Sequence, residues 1–466
     1  MLRVARWLCL GALLATLTLC AQPTPKPRLF LLSDIANEPD DAQSLVRLLL
    51  YSNELQIEGL VATTSFWLND TTRPDQMRDI VQGYKESLEN LKTHASGWPE
   101  PEDLLSLIAS GSTVYGMDGV GNGQDSEGSE MLVNAVDASD EPLWVPLWGG
   151  ANTLAQALWH VKATRPADIN LFVSKLRVYS ISDQDNAGPW IRRNWPNLFY
   201  ISSVHAFNRY GNAAWGGMPG DDYYHFPNNA NKEVISPSWI RDNIQIGPLG
   251  AKYPNSEFIM EGGRYGPVAW GEGHFADSID TIVDDNGKTM MGSQVTVWRW
   301  REAFQNDFKS RMQWTIRPHF EQASHAPIAI VNGSASREVL QYVVLPEQNV
   351  VLDASKSCNP DDHGALSFKW WQYLEPSSNL NTPKRDVTAL NLQQSNTATV
   401  TIEIPSAETL MRAGRGIHAE ADKHLHIILE VSNGGQIAYR RVILTIKGNT
   451  SSEKTEEREQ KGHDEL

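Results

Sequence analysis

Residues 28–51 read RLFLLSDIANEPDDAQSLVRLLLY, and this stretch decides the fold. An apolar run opens it, and a second apolar run with helical periodicity closes it. Between them lie four carboxylates: Asp34, Glu38, Asp40 and Asp41. A proline followed by acidic residues is typical of a helix N-terminus. The stretch therefore predicts a buried strand, an acidic loop, and a helix that begins near Pro39.

The same alternation of strand-like and helix-like segments continues towards residue 200. Strand-like segments are LQIEGLVATTS (55–65), PLWVPLWGG (142–150) and LRVYSISD (176–183). Helix-like segments are RPDQMRDIVQGYKESLENL (73–91) and ANTLAQALWHVKATR (151–165). This β-α-β-α order predicts an α/β fold with a mostly parallel sheet flanked by helices.

Polar segments follow each predicted strand of this sheet. The acidic loop follows the first, and TTSFW (63–67), WGGANT (148–153) and SDQDN (182–186) follow the others. In open α/β sheets, ligands bind beyond the carboxyl ends of the strands. We therefore expect these four segments to meet at one edge of the sheet and to form a binding site there.

The rest of the chain differs from residues 28–200 in composition and in hydrophobic periodicity. Residues 205–290 are rich in Gly, Asn, Trp and Tyr, which predicts long loops that cap the sheet, and TVWRWREAFQNDFKSRMQWTI (296–316) predicts a helix. After HAPIAIVNG (325–333), short alternating strands predict an all-β Ig-like sandwich. We expect an α/β domain over 28–325, the sandwich over 326–447, and a disordered charged tail over 448–466.

The composition limits the classes of partner. The chain has 466 residues and a net charge of −16, which argues against nucleic acid, because phosphate binding needs clustered Lys and Arg. Of three cysteines, Cys9 and Cys20 fall within or next to the apolar N-terminal segment. Only Cys358 remains in the rest of the chain, so we expect no internal disulfide in the mature protein.

The two ends of the sequence predict the secretory pathway. Residues 1–21 have the pattern of a signal peptide, and no later apolar run is long enough to span a membrane. The last four residues, HDEL, match a signal read by the retention receptor of the endoplasmic reticulum. In a bacterial protein HDEL would have no such meaning, and the location would be periplasmic or secreted. Sequons at Asn69, Asn332 and Asn449 fit a glycoprotein.

Several motifs together carry a resemblance to one family. They are the acidic cluster at 34–41, LWGGANTLAQAL, ISDQDNAGPWIRRNWPNLFYI, IGPLGAKYP and VWRWREAFQNDF in the first part, and LDASKSCNPDD and HIILEVSNGGQIAYRRVI in the second. The chain resembles a family described as cellulose-binding. Its N-terminal domain is similar to nucleoside hydrolases, and its C-terminal domain is a PKD-like or Ig-like sandwich.

The resemblance implies roles for the acidic cluster. Nucleoside hydrolases use such a cluster to bind Ca²⁺, activate a water and hold sugar hydroxyls. By that resemblance Asp34 is the catalytic base and a metal ligand, and Asp41 is a second ligand. Asp40, with Glu38, is expected to contact the substrate. The residues alone leave open a second interpretation, in which the carboxylates cap the helix that begins near Pro39.

The other expected site residues follow the later strands. The resemblance implies that Asn152 gives a backbone carbonyl to the metal and that Asp185 and Asn186 contact the sugar. Helix capping explains these three positions about equally well. Glu261 is expected to contact the substrate, in MEGGRYGPVAWGEGHF (260–275), where Gly263 occupies the place of a metal-binding Asp in the hydrolases. Glu272 and His274 lie close by.

Two functions remain in competition. The first is a hydrolase of glycosidic or N-glycosidic bonds that acts on a carbohydrate or nucleoside-like small substrate through a metal-activated water. The second is a non-catalytic protein that binds a cellulose-like glycan in the same pocket. Asp34, Asp40 and Asp41 favour the enzyme, and Gly263 favours binding alone.

Overall fold

A computed structural model of the chain describes residues 25–203, 212–218, 232–255, 262–268, 271–283, 287–361, 364–377, 388–412 and 422–447. It divides into two compact units, Pro25–Ala323 and a second that begins at Ser324. The predicted signal peptide, the HDEL tail and Glu261 lie outside the described residues. Within the described residues, no helix combines the length and the apolar character needed to cross a membrane.

The first unit is built on an eight-stranded sheet. Its strands are β1 (Arg28–Ser33), β2 (Gln56–Ala62), β3 (Ile108–Ser110), β4 (Leu143–Leu147), β5 (Leu176–Ser180), β6 (Phe199–Ser202), β7 (Tyr265–Pro267) and β8 (His274–Asp277). They lie in the order β3-β2-β1-β4-β5-β6-β8-β7. Every neighbouring pair is parallel except β7 and β8. The predicted mostly parallel sheet is confirmed.

Helices connect and cover these strands. They are α1 (Pro39–Leu49), α2 (Pro74–His94), α3 (Pro101–Ser106), α4 (Glu127–Asp137), α5 (Asn152–Thr164), α6 (Ile169–Ser174), α7 (Ala187–Asn194), α8 (Pro237–Asn243), α9 (Gly247–Gly250), α10 (Val295–Trp298) and α11 (Arg301–Trp314). Short 3₁₀ turns lie at Gly116–Gly119, Ala214–Gly217, Glu233–Ile235 and Phe320–Gln322.

The strand β1 is buried on both faces of the sheet. Its side chains alternate between the two faces, as a strand requires. Leu31 belongs to one apolar cluster, which includes residues of α1, α2 and α11. Phe30 and Leu32 belong to a second cluster, which includes residues of α4, α5 and α7. This two-sided burial explains the near-continuous apolar run at the start of the quoted stretch.

The strand order creates one switch point in the sheet. From β1 the chain adds β2 and β3 on one side, and β4, β5 and β6 on the other. Ser33 pairs with Ala62 of β2, and Leu32 pairs with Leu147 of β4. A crevice forms where such an order reverses, beyond the carboxyl ends of the strands. The acidic loop after β1 lies at this crevice.

The prediction of loops alone over 205–290 was wrong. Two strands of the main sheet, β7 and β8, fall there, with a two-stranded hairpin of β9 (Asp280–Val283) and β10 (Thr289–Gly292). These strands have only three or four residues, too few for periodicity to reveal. The helix predicted over 296–316 is divided, because α10 ends at Trp298 and α11 begins at Arg301.

The second unit is an all-β structure of two sheets. Its strands are β11 (Leu340–Val344), β12 (Asn349–Asp353), β13 (Ser367–Tyr373), β14 (Asn391–Gln393), β15 (Thr399–Glu403), β16 (Lys423–Ser432) and β17 (Ile437–Ile446), with one helix, α12 (Ala407–Arg412). The sheet orders are β11-β17-β16-β13 and β12-β15-β14. Only β11 and β17 pair in parallel among these described strands. The two sheets enclose a shared core around Trp370, Ile402 and Leu429. The predicted sandwich is confirmed.

A buried ion pair holds the start of β1. Arg28 is 5% exposed, and its Nε and Nη2 donate to the two carboxylate oxygens of Glu58, both at 2.6 Å. Its guanidinium also donates to the carbonyls of Glu141 (2.7 Å) and Ala135. One side chain therefore joins the amino ends of β1 and β2 to the last turn of α4 and to the segment between α4 and β4.

Removing one partner of this pair should destabilise the fold strongly. We expect Arg28→Ala to lower the free energy of unfolding by about 3–5 kcal/mol, because the Glu58 carboxylate then stays buried without its counter-ion. The double variant Arg28→Met/Glu58→Leu should lose much less, since it removes both charges. Urea denaturation measures both. A single variant within about 1 kcal/mol of the wild type would contradict this role.

Candidate functional site

The acidic loop places two carboxyl groups against each other at the end of β1. Asp34 follows the strand directly and is 3% exposed, and Asp41, in the first turn of α1, is 5% exposed. The side chains of Asp41 and Ser65 lie close enough to the Asp34 carboxyl that hydrogen bonding with them lowers its pKa. Ser33 Oγ donates to Asp41 Oδ1. Two carboxyl groups in contact share a proton or attract a cation, since like charges repel at this distance.

Burial sets the protonation of Asp34. Desolvation raises its pKa to about 6, the hydrogen bonds from Ser65 and Asp41 oppose this rise, and the nearby charge of Glu38 adds to it. A carboxyl group that titrates near neutrality can both take and give a proton, which is what a general base or acid needs. Strongly shifted groups in clefts are typical of functional sites.

The backbone of the loop is strained beside these groups. Ala36 has φ 84°, in the left-handed region that residues other than glycine rarely adopt. Asn37 N donates to the Asp34 carbonyl at 3.2 Å and closes the turn. A non-glycine residue in this conformation costs about 1–2 kcal/mol, and such strain clusters at functional sites. The strained turn separates Asp34 from Glu38 and returns the chain to α1.

The carboxylates of the loop do not act mainly as helix caps. Glu38 occupies the N-cap position of α1, but its side chain makes no capping hydrogen bond. Glu38 is exposed, and Asp40 is buried in the first turn of α1. The dipole of α1 favours negative charge in this turn, but it does not account for a buried pair between Asp34 and Asp41.

Two glycines after β4 allow the close approach of two acidic residues. A Cβ on Gly149 would lie 2.8 Å from Asp34 Cβ and 2.8 Å from Thr63 Oγ1. A Cβ on Gly150 would lie 2.6 Å from Asp185 Oδ2. No side chain fits at such distances. Asp34 therefore packs against Gly149 and Asp185 against Gly150, and a side chain at either glycine would prevent this approach.

The Asp185 carboxylate accepts hydrogen bonds from the N-termini of two helices. Its Oδ2 accepts from Asn152 N at 3.0 Å, where α5 begins, and its Oδ1 accepts from Ala187 N at 2.9 Å, where α7 begins. Burial is the main cause that raises its pKa to about 6, and these backbone hydrogen bonds oppose the rise. The predicted capping role is therefore present at Asp185, inside the same crevice as the acidic loop.

The amide of Asn152 is fixed between two loops. Its Nδ2 donates to Thr64 Oγ1 at 3.0 Å and to the Val114 carbonyl at 2.9 Å. Its Oδ1 is buried and has no hydrogen-bond partner among the described residues, and the same holds for Thr63 Oγ1. Asn186 is exposed, and its Oδ1 accepts from Met117 N at 2.8 Å. The expected residues Asn152, Asp185 and Asn186 thus form one polar wall of the crevice.

The segment around Gly263 cannot take an aspartate without rearrangement. Gly263 has φ 139°, and a Cβ there would lie 2.6 Å from Ala214 Cβ. His274 begins β8, so it and Glu272 lie at the amino edge of the parallel sheet, away from the crevice. Within the described part of the chain, no three or more His, Cys, Asp or Glu side chains are grouped to hold a metal ion.

The segment TTSFW lies at the edge of the sheet where the sequence predicts it, and its Thr63, Thr64 and Ser65 are fully buried there. Sequence reasoning missed Asp277, which ends β8, and whose Oδ1 accepts from Ser203 Oγ (2.7 Å) and Ala214 N (3.0 Å). Because β8 has only four residues, no periodicity marked the strand that this residue ends.

The chain belongs to the cellulose-binding Sde182 family with a nucleoside hydrolase-like domain. Residues 28–266 match that domain, and residues 349–446 match the C-terminal domain of the cellulose-binding protein Sde0182. The two matches cover the segments that carry the resemblance, except VWRWREAFQNDF at 297–308, and the resemblance is confirmed. No curated protein matches the chain.

One solved structure is similar along nearly the whole chain. It is a nucleoside hydrolase-related hypothetical protein from Saccharophagus degradans that is associated with carbohydrate metabolism. The two are 30% identical, the similarity covers 91% of this chain and 100% of the other, and the TM-score is 0.71. Two effector proteins, XOO4466 and XopQ, align at 13% identity over 52% of this chain and 68% of theirs, with TM-scores of 0.31 and 0.28.

Replacing Asp34 with a neutral isostere should stabilise the fold. The folded state binds this proton more tightly than the unfolded chain does, so the group lowers stability as pH rises from about 4 to about 6. At pH near 7.5, with a chelator present, we expect Asp34→Asn to raise the free energy of unfolding by about 1–3 kcal/mol. At pH near 4 the gain should largely disappear.

The control for this measurement is Asp75→Asn. Asp75 is exposed at the start of α2, and the hydrogen bond from Arg73 lowers its pKa, so its replacement should give no gain. Urea denaturation of both variants at the two pH values gives the comparison. An Asp34→Asn variant that is less stable than the wild type near pH 7.5 would mean that the carboxylate is held there for stability.

Proposed function

We propose that the first unit hydrolyses glycosyl bonds, glycosidic or N-glycosidic, of a sugar-containing substrate at the crevice beyond β1. The observation that carries this proposal is the buried contact between Asp34 and Asp41 at the switch point of a nucleoside hydrolase-like sheet. Membership of a family described as cellulose-binding supports a carbohydrate as the ligand class.

In this proposal Asp34 acts as the general base. Its carboxylate takes a proton from the attacking water, the water oxygen bonds to the anomeric carbon, and the bond from that carbon to the leaving group breaks. The leaving group departs with a proton from solvent, and Asp41 and Ser65 beside Asp34 keep its carboxylate oriented. Cleavage of a glycosyl bond passes through an oxocarbenium-like transition state, which carries positive charge. Asp40, Asp41 and Glu38 surround that position with negative charge, which stabilises the transition state more than the neutral substrate.

In this proposal, residues at the rim of the same crevice hydrogen-bond to the sugar. Glu38 and Asn186 are exposed there, so they can reach a bound ligand without rearrangement of the core. Asp40 and Asp185 are buried acceptors on either side of it. Glu261, outside the described residues, stays a predicted substrate contact.

The donor set also fits a hard cation such as Ca²⁺. Asp34 and Asp41 supply carboxylate oxygens, and the buried Asn152 Oδ1 and Thr63 Oγ1 are neutral oxygens without a partner among the described residues. Ca²⁺ prefers such oxygen ligands. A bound cation would supply charge stabilisation and lower the pKa of a bound water. The chain itself would contribute the orientation of the two carboxylates.

A second candidate is binding of a glycan without turnover. Two observations favour it: among the described residues no three His, Cys, Asp or Glu side chains are grouped to hold a metal ion, and a Cβ at Gly263 would lie 2.6 Å from Ala214 Cβ. In that case the same crevice would hold the sugar, and Asp34 would serve as a hydrogen-bond acceptor only.

Turnover measurements separate these two functions. We expect wild-type protein to release free sugar from at least one member of a panel of nucleosides, aryl glycosides and oligosaccharides. Asp34→Asn should lower kcat by about 10²- to 10⁴-fold, because it removes the base. Asp75→Asn, at an exposed position on α2, is the matched control. If Asp34→Asn keeps wild-type turnover, Asp34 is not the base; if the wild type turns over no substrate, binding is the function.

Calorimetry tests the cation independently of activity. We expect wild-type protein to bind Ca²⁺ and Asp41→Ala to bind it at least about tenfold more weakly, since one of two carboxylates is lost. Asp75→Asn should bind as the wild type does. The metal proposal fails if the full chain, prepared without chelator, gives no heat of Ca²⁺ binding.

A further inference from the structure

Two aromatic side chains stand exposed in the loop that follows β2. Phe66 is 56% exposed and Trp67 is 53% exposed. They are the only Phe or Trp side chains classed as exposed among the described residues. Exposed single apolar residues are common, but an adjacent pair of large aromatic rings is a contiguous apolar surface that favours a partner.

This pair is held rigidly rather than on a free loop. The ring centroids of Phe66 and Trp67 are 4.9 Å apart and the planes meet at 88°, an edge-to-face contact. Ser65 Oγ accepts from the backbone N–H groups of Trp67 and Leu68, both at 3.1 Å. The far end of the loop is tied to β3, because Thr72 Oγ1 and Ser110 Oγ are 2.6 Å apart.

The same serine joins the aromatic pair to the acidic site. Ser65 is fully buried and lies two residues after Thr63, whose N–H donates to the carbonyl of Ser33 at 2.8 Å, directly before Asp34. Ser65 is also one of the groups that lower the pKa of the Asp34 carboxyl. The aromatic rings are the next two residues in the chain. Phe66 and Trp67 therefore follow β2 at the carboxyl edge of the sheet, the same edge at which the acidic loop follows β1.

The acidic charge of the crevice and the exposed aromatic rings beside it indicate which class of ligand fits. Asp34, Glu38, Asp40 and Asp41 make the crevice acidic, which repels phosphorylated and anionic ligands. A pyranose ring is uncharged, has an apolar face of C–H groups, and carries hydroxyls at its edge. The face stacks on an aromatic ring, and the hydroxyls donate to carboxylates. A neutral glycan chain satisfies both surfaces at once.

We propose that Phe66 and Trp67 form a stacking platform for a second sugar unit, so that the site takes an oligosaccharide of neutral pyranoses. The inference rests on the proposed function, because it extends the sugar site around Asp34 along the chain of the substrate. It predicts that affinity rises with glycan length, up to the number of units that the platform and crevice accommodate.

Calorimetry with glucose, cellobiose and cellotetraose tests the platform, with inosine as the nucleoside probe. We expect the wild type to bind cellotetraose more tightly than glucose. Trp67→Ala and Phe66→Ala should each weaken cellotetraose binding about threefold to tenfold and change glucose binding by less than about twofold. Trp67→Phe should retain most of the affinity. Leu171→Ala, at a 61% exposed position on α6, is the matched control and should bind as the wild type does.

The outcomes distinguish this inference from the proposed hydrolysis. Equal cellotetraose affinity in Trp67→Ala and wild type overturns the platform, as does a wild type that binds no oligosaccharide. Loss of inosine binding in Trp67→Ala, with glycan binding unchanged, would make the pair a nucleobase platform and overturn the inference. If Asp34→Asn binds cellotetraose with the same dependence on Trp67, and the wild type shows no turnover, hydrolysis fails and the platform stands.

Discussion

The parallel pairing of β1 with β2 on one side and β4 on the other is the constraint on which the site depends. It buries β1 on both faces, and it sends the residue after Ser33 into a crevice instead of into solvent. The carboxyl of Asp34 is thereby desolvated and brought against Asp41. An ionised carboxylate in that position lowers the free energy of unfolding, and the burial of the surrounding apolar clusters compensates for this loss.

Much of this arrangement could be predicted from the sequence, and the reason is physical. The apolar run of β1 and the periodic run of α1 are long enough for their patterns to be read. Polar residues directly after successive strands of a parallel sheet must meet at one edge, which is why Asp34, Asn152 and Asp185 were found. The sandwich could be predicted equally well, because successive side chains along its strands alternate between the core and solvent.

The remaining features of the fold and the site depend on contacts between residues far apart in sequence, and no local sequence pattern indicates them. Strands β7 and β8 are too short for periodicity, and the pairing of β8 with β6 joins residues as far apart in sequence as Tyr200 and His274. The strained turn at Ala36 and the close approach at Gly149 are properties of the folded backbone. The hydrogen bonds that Asp185 accepts from the N-termini of two helices show the capping role that the sequence offered as an alternative, and its contact with a sugar stays a prediction.

The position of Asp185 between two helices restricts where the protein can evolve a new specificity. Because the first backbone N–H groups of α5 and α7 both donate to the Asp185 carboxylate, a change there would disturb two helices. In the loop after β2, the rings of Phe66 and Trp67 are more than half exposed, so their replacement disturbs no helix N-terminus. Relatives that differ in ligand are therefore expected to differ in this loop and to keep the carboxyl that organises the helices.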